Sequence, residues 1–288
     1  MVHKSQVAVV VDSSSCLPRD LLERWRIHVV SHELIIGDMS FKDGVDIQPS
    51  DFYQLIQDNH SVPTTSSPNP SCFLEVFRSA SQVAESVICI TVSGNFSATY
   101  GSACTAAAMA ESELSGFSVG VVDSQAAAGA QGLVALQAAR SADDGADLEE
   151  VTSLVEGLIP KMNLVAFLDS LYYLRRSGRV PRLAAWAGDI LGIKPLTEMN
   201  LGEPKLLAKP RTRSGATNRM LGVMRERIQD MPVHVNVMHA HAASDAQDLR
   251  QRVEDEFDCR ELFVSEFTPV MGSHLGPGLL GLAFYAEA

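Results

Sequence analysis

Positive charge is what this sequence is short of: 23 Lys and Arg stand against 35 Asp and Glu in 288 residues, a net charge of −12. A surface of that sign repels phosphate backbones and anionic membranes, so electrostatic capture of nucleic acid or of an anionic membrane surface is disfavoured. Any anion must be held by local groups. Cysteine is scarce too. Cys16, Cys72, Cys89, Cys104 and Cys259 are odd in number and lack the CxxC spacing of zinc or redox sites, which points to a reducing compartment. No apolar stretch approaches the length of a membrane span, and the short run before Asp12 is too small for a signal-peptide core. The expected location is therefore the cytoplasm, without stable membrane insertion. There is no GxGxxG, no Walker-type GK[ST] and no G-x-S-x-G elbow. What remains is an ordinary globular composition, 46% hydrophobic and 20% charged, in a chain long enough for two domains or one large one.

The chain is organised around VICITVSGNFSATYGSA, where an apolar run over residues 87–92 breaks at Ser93, Gly94 and Asn95 and restarts as a helix-forming segment after Ser97. Strand, hydroxyl-rich turn and helix in that order aim backbone N–H groups and the helix dipole at one spot, where an anionic head group can sit. Ser93, Asn95, Ser97 and Thr99 add side-chain donors. Ser97 or Thr99 acting simply as a helix cap explains the same residues, and both readings stand at this point.

Residues 7–11 form a continuous Val and Ala run, the pattern of a buried parallel strand, ending in Asp12 and Ser13. Polar residues at the carboxyl end of such a strand face the crevice where open α/β sheets bind ligands, or else cap the helix that begins near Pro18. A third strand over 117–122 again ends in Asp123-Ser124. Strands alternating with helices predict a parallel sheet in the first half. Three strand ends carrying Ser beside Asp or Gly argue for a site more strongly than any one serine.

Other segments are read in the same way. A strand or hairpin is expected over 27–36, a helix over 49–59, and a proline-punctuated irregular loop over 63–70. The Ala-rich, nearly uncharged helix over 126–139 must be packed on several sides. A helix over 148–160 closes the first half, so domains of 1–160 and 161–288 are expected. The second half predicts a strand at 164–168, a helix over 169–176, another over 184–190, a hairpin turning at 200–203, a helix over 216–228 and a strand over 233–238. His239-Ala240-His241 follows, without a third ligand spaced for a metal, and no metal site is assigned. Four glycines around His274 between 272 and 281 describe a tight loop. A histidine so framed can donate to a carboxylate.

In order, VVDSSS, TTSSPNPS, SGNFSATYGSA, VVDSQAAAGAQG, YLRRSGRVP, GIKPL, KPRTRSGA and GSHLGPGLLGLAF cover nearly the whole chain, and together they resemble the DegV family of bacterial fatty-acid-binding proteins. That family includes the acyl-carrying subunit of bacterial fatty acid kinase. The resemblance implies a two-domain fold, with a parallel-sheet N-terminal α/β domain, a mixed-sheet C-terminal α/β domain and a lipid tunnel between them. It further implies a long-chain fatty acid as ligand, no cofactor, and a carboxylate held by Thr65, Ser93 and His274, with Ser97 and Ser13 nearby. Arg179, Arg211 and Arg213 match positions at the pocket mouth or the kinase-docking face, Arg213 first among them. Gly94 stands where family members often carry a serine, and Ser67 and Asn69 replace the commoner residues of their loop. The implied role is a carrier that presents its fatty acid to a partner kinase. A lipid-responsive regulator, or a stand-alone hydrolase or phosphotransferase using Asp12, Ser93 and His274, are the alternatives.

Overall fold

The computed structural model describes residues 5–59, 63–178 and 192–287. The first half runs β1 (Ser5–Asp12), α1 (Arg19–Arg24), β2 (His28–Val30), β3 (Glu33–Ile36), β4 (Met39–Lys42), α2 (Pro49–Asn59), β5 (Thr64–Ser66), α3 (Pro70–Ser81), β6 (Ala84–Thr91), α4 (Thr99–Glu113), β7 (Ser118–Asp123), α5 (Ala128–Asp143) and α6 (Leu148–Leu158). The second half runs β8 (Asn163–Phe167), α7 (Tyr172–Ser177), β9 (Leu196–Asn200), β10 (Glu203–Ala208), α8 (Arg213–Ile228), β11 (Val233–His239), α9 (Ala243–Glu256), β12 (Cys259–Glu266), α10 (Pro269–Leu275) and β13 (Leu280–Ala286).

These elements make two α/β domains. The first is built on a parallel sheet in the order β2-β1-β6-β7, the second on a mixed sheet in the order β10-β9-β8-β13-β11-β12. Valine and isoleucine fill β1 and β6 because both faces are covered, leaving no polar alternation to select. A small antiparallel sheet, β4-β3-β5, branches from the first domain. Its existence corrects the expected irregular loop. Pro63 and Pro68 bracket the three residues of β5, whose own N–H groups are intact, so Thr65 can pair with Leu34.

Helix α5 joins the domains, packing against β1 and β6 on one side and β8, β11 and β13 on the other. Its small side chains permit this double burial. Gly129 is the tightest point: a Cβ there would lie 2.4 Å from Asn236 Nδ2 and 2.7 Å from Met238 Sδ. One continuous apolar core therefore runs from Val7 to Tyr285 through α5. The expected helix over 184–190 lies outside the described residues. Helix α9 carries a buried stripe of Ala246, Leu249 and Val253, a helical spacing that the charged residues around it obscure in the sequence.

On β11, one strand in from the edge of the second sheet, His234 stacks on Tyr285 and bonds Glu261 at 3.2 Å and Glu287 at 3.0 Å. Burial alone would depress its pKa, but the two carboxylates outweigh burial and raise it. A group whose folded pKa is raised contributes stability that is complete below its unfolded pKa, roughly 6.5, and lost as pH rises through the folded value. We therefore expect the melting temperature to decline from pH 6 towards alkaline pH, and His234→Phe, which keeps the ring stack, to flatten that decline. An unchanged slope in the variant would remove His234 as its source.

Candidate functional site

Parallel strands β1, β6 and β7 end side by side, and Asp12 ties those ends together. Its Oδ2 accepts from Val92 N–H at 2.7 Å and Gln131 Nε2 at 3.0 Å, and its Oδ1 accepts from Ser14 N–H and Ser14 Oγ. A buried carboxylate so surrounded is a structural clasp between β1, the β6 turn and α5. It has no lone pair left to act as a base.

Beside this clasp lies a cavity enclosing about 1110 Å³ of empty space, part of it continuous with solvent. It lies between the domains. Ala127, Ala128, Val92 and Phe96 come from the first, and Leu164, Leu168, Leu279 and others from the second. The walls are chiefly apolar, which is the character of pockets that bury the tail of an amphiphile.

Two polar places interrupt the walls. At the first, Thr65 Oγ1 and His274 Nε2 stand 3.1 Å apart. The pairing of β5 with β3 positions Thr65. Helix α10 positions His274, and this helix corrects the expected glycine loop: of its four glycines, Gly276 and Gly278, with φ of +77° and +85°, take a conformation foreign to other residues, and both follow the helix. Asp43 secures the start of α10 by accepting from Val270 N–H at 3.0 Å. A Cβ at Gly276 would fall 2.2 Å from the Tyr173 ring, so the chain leaves α10 through a gap that only glycine fits. Thr65 and His274 also line a smaller hollow with Tyr173, Arg176, Ser177 and Ser273. The pair thus divides the apolar cavity from a polar recess.

At the second place, Ser67, Ser97 and His32 reach the cavity wall. Ser67 Oγ and Ser97 Oγ are 2.8 Å apart, Ser97 Oγ and Thr99 Oγ1 2.6 Å, and Thr99 Oγ1 and His32 Nε2 3.0 Å. Ser13 stands behind them, 3.2 Å from His32 Nδ1 and donating to buried Asp43 at 2.7 Å. Burial pushes the Asp43 carboxyl up, while the hydrogen bonds from Ser13 and Val270 pull it down, and the upward push prevails.

The other sequence-predicted residues fall elsewhere. Ser93 is buried, but its Oγ accepts from Asn95 N–H at 3.3 Å and faces the β9–β10 turn, where a Cβ on Gly202 would be 2.7 Å away. It is not among the cavity-lining residues. The central turn serves as the dock for that hairpin, and Asn95 Nδ2 donates to the Gly202 carbonyl. Arg213 is committed within the chain, bonding Asp169 at 3.0 Å, the Gly278 carbonyl at 2.6 Å and Asp245 at 2.8 Å, over the Phe167 ring. Arg211 is exposed. Arg179 lies outside the described residues.

Asp12, Ser93 and His274, the three groups of a stand-alone enzyme, each bond a different set of neighbours. Ser13 donates to Asp43 rather than to a histidine base, so it lacks the arrangement of an activated nucleophile. Burial raises the Cys16 thiol to about 12, which keeps it protonated and inert. Among the described residues no cluster of three or more His, Cys, Asp or Glu is placed to hold a metal, and no helix is long and apolar enough to cross a membrane. Sequence reasoning missed His32, Asp43 and Gln131. For His32 and Gln131 the only signal was a polar residue inside an apolar segment, and Asp43 sits in a polar turn sequence; neither pattern has meaning until a partner is known.

Two α/β domains thus enclose an apolar slot with hydroxyl and imidazole groups at fixed points along it. A sequence profile for the DegV family, described as uncharacterised proteins, matches residues 6–287. A DegV domain-containing protein of Streptomyces coelicolor is 34% identical over 278 residues, covering 96% of this chain and 97% of that one. The chain belongs to the DegV family. Among solved structures, a DegV family protein from Thermus thermophilus described by its fatty acid binding superposes with a TM-score of 0.90 at 29% identity, covering 98% of this chain and 100% of the other. A stearic acid-binding protein from Eubacterium ventriosum gives 0.89 at 27% identity, covering 98% of each chain. DegV of Bacillus subtilis, a fatty acid binding protein, gives 0.88 at 25% identity, covering 99% of this chain and 100% of that one.

Proposed function

We propose that this protein binds a long-chain fatty acid in the interdomain cavity, holds its carboxylate at Thr65 and His274, and presents it to a partner fatty acid kinase that makes the acyl phosphate. The observation that carries this reading is the Thr65–His274 pair, placed where an otherwise apolar cavity meets a polar recess. When Nε2 carries the proton and donates to Thr65, the threonine hydroxyl remains to donate to a carboxylate oxygen. Each buried CH₂ contributes about 0.8 kcal/mol, so the tail supplies most of the affinity and the head group sets the direction of entry. The recess lined by Tyr173 and Arg176 supports presentation, because it gives a partner's phosphoryl group an approach to the carboxylate without withdrawal of the tail. The protein acts in the cytoplasm, needs no cofactor and breaks no bond itself.

Denaturing extraction of the purified protein followed by lipid mass spectrometry tests this directly. One fatty acid per chain is expected. An empty or lipid-free protein that also fails to take up added fatty acid would end the carrier reading. Incubated alone with ATP and fatty acid, the protein should form no acyl phosphate, and turnover without a partner would instead make it the kinase.

A further inference from the structure

The second polar place in the cavity is a chain of six groups, Ser67, Ser97, Thr99, His32, Ser13 and Asp43, joined by five hydrogen bonds. Its protons can be counted. Asp43 accepts at both oxygens and is counted as a carboxylate, and His32 is counted as a neutral ring: each hydroxyl then brings one proton, the imidazole one and the carboxylate none. Five protons thus fill five bonds, and their direction follows from the buried end. Asp43 is an acceptor at both oxygens, from Val270 N–H and from Ser13 Oγ. With its proton spent on Asp43, Ser13 can only accept from His32, so Nδ1 carries the imidazole proton; the Asp12 carboxylate 3.8 Å from Nδ1 favours the same tautomer. His32 Nε2 must then accept from Thr99, Thr99 from Ser97, and Ser97 from Ser67. Every proton points inward. Ser67 Oγ, the member at the cavity end, is left with lone pairs and no proton to offer.

An ionised carboxylate has no proton either, so it gains nothing at Ser67 and belongs at Thr65 and His274. An alkyl chain leaves the Ser67 lone pairs desolvated and unpaired, at a cost comparable to a lost hydrogen bond. A hydroxyl on the ligand satisfies them. Ser67 lies two residues beyond Thr65 on an extended segment, so the two stations are about 6–7 Å apart along one wall. That separation places the hydroxyl near the head group and far from the methyl end.

We propose that the wire ending at Ser67 is a specificity site for a hydroxylated fatty acid, accepting a hydrogen bond from a hydroxyl in the first few carbons of the acyl chain. The proposal rests on the fatty-acid reading of the cavity and adds the substrate class. His32 is a positioning residue here. It touches no ligand itself in this scheme but orients Thr99 and Ser97, and through them the Ser67 lone pairs.

The test is competitive displacement of a fluorescent polyene fatty acid from delipidated protein by hexadecanoate, 3-hydroxyhexadecanoate and 12-hydroxyoctadecanoate. One hydrogen bond of ordinary net strength should make the 3-hydroxy acid about fivefold to tenfold tighter than hexadecanoate. The 12-hydroxy acid, its hydroxyl far from Ser67, should gain nothing. Ser67→Ala should erase the 3-hydroxy preference, bringing the ratio of the two affinities to about one, whereas a folding defect would weaken both ligands and leave their ratio as it was. Equal binding of the 3-hydroxy acid and hexadecanoate by the wild-type protein overturns the proposal and leaves the fatty-acid reading intact. Failure of the polyene to bind at all overturns that reading and the proposal with it.

Discussion

Replacing His274 with alanine should lower fatty-acid affinity by about tenfold to a hundredfold, the range for one hydrogen bond to a charged partner. Thr65→Val, which keeps shape and removes the hydroxyl, should lose a similar factor. The double variant should lose little more than either single one, because the two side chains bond each other at 3.1 Å and act on one carboxylate as a unit. Neither change should unfold the protein, since both residues are only half-buried and the core beneath α10 is carried by Val270 and Phe267. Displacement titration on the three variants measures this. Full additivity would mean that the two residues hold different groups, and wild-type affinity in both singles would move the head group elsewhere in the cavity.

The largest stability effect is expected at Gly129. At an ordinary exposed helix position, Gly→Ala stabilises by about 0.5–1 kcal/mol through the backbone entropy of the unfolded chain. Gly157, near the end of α6 with open space around it, is such a position, and Gly157→Ala should raise the melting temperature slightly. Gly129→Ala should do the opposite. Its Cβ would press on Asn236, whose amide oxygen accepts from Ser265 at 2.9 Å and so resists rotation, and on Met238, whose sulfur accepts from Gly129 N–H at 3.1 Å. Overpacking of this kind costs about 1–3 kcal/mol, and a chain of this size loses roughly 2–4 °C for each kcal/mol. Lipid retention should fall with it, because the neighbouring residues Ala127 and Ala128 line the cavity. Equal melting temperatures for the two alanine variants would mean that α5 is not wedged between the sheets.

The buried parallel strands and the Ala-rich helix between the domains were legible from composition alone, because a strand or helix covered on every side has no polar residues to hide. Thr65 and His274 were reachable through the order of short motifs, and only together with them. Ser93 shows the limit. Its place at a strand end was plain, but which way its hydroxyl turns depends on the β9–β10 hairpin arriving from more than a hundred residues away, and Gly202 takes up the space beside it. Arg213 was conspicuous as a cation in an acidic chain, yet Asp169, Asp245 and the Gly278 carbonyl consume its donors, and none of the three is near it in the sequence.

Periodicity and composition determined most of the strands and helices, though not β5 or α10, and that hydroxyls gather at one sheet edge, since these follow from local propensity and from the need to bury apolar faces. The pairing of Thr65 with His274, the wire from Asp43 to Ser67 and the commitment of Arg213 were decided by tertiary structure alone. Hydrogen-bond direction and charge neutralisation depend on distances of about 3 Å between residues far apart in the chain, and a linear order of side chains carries no such distance.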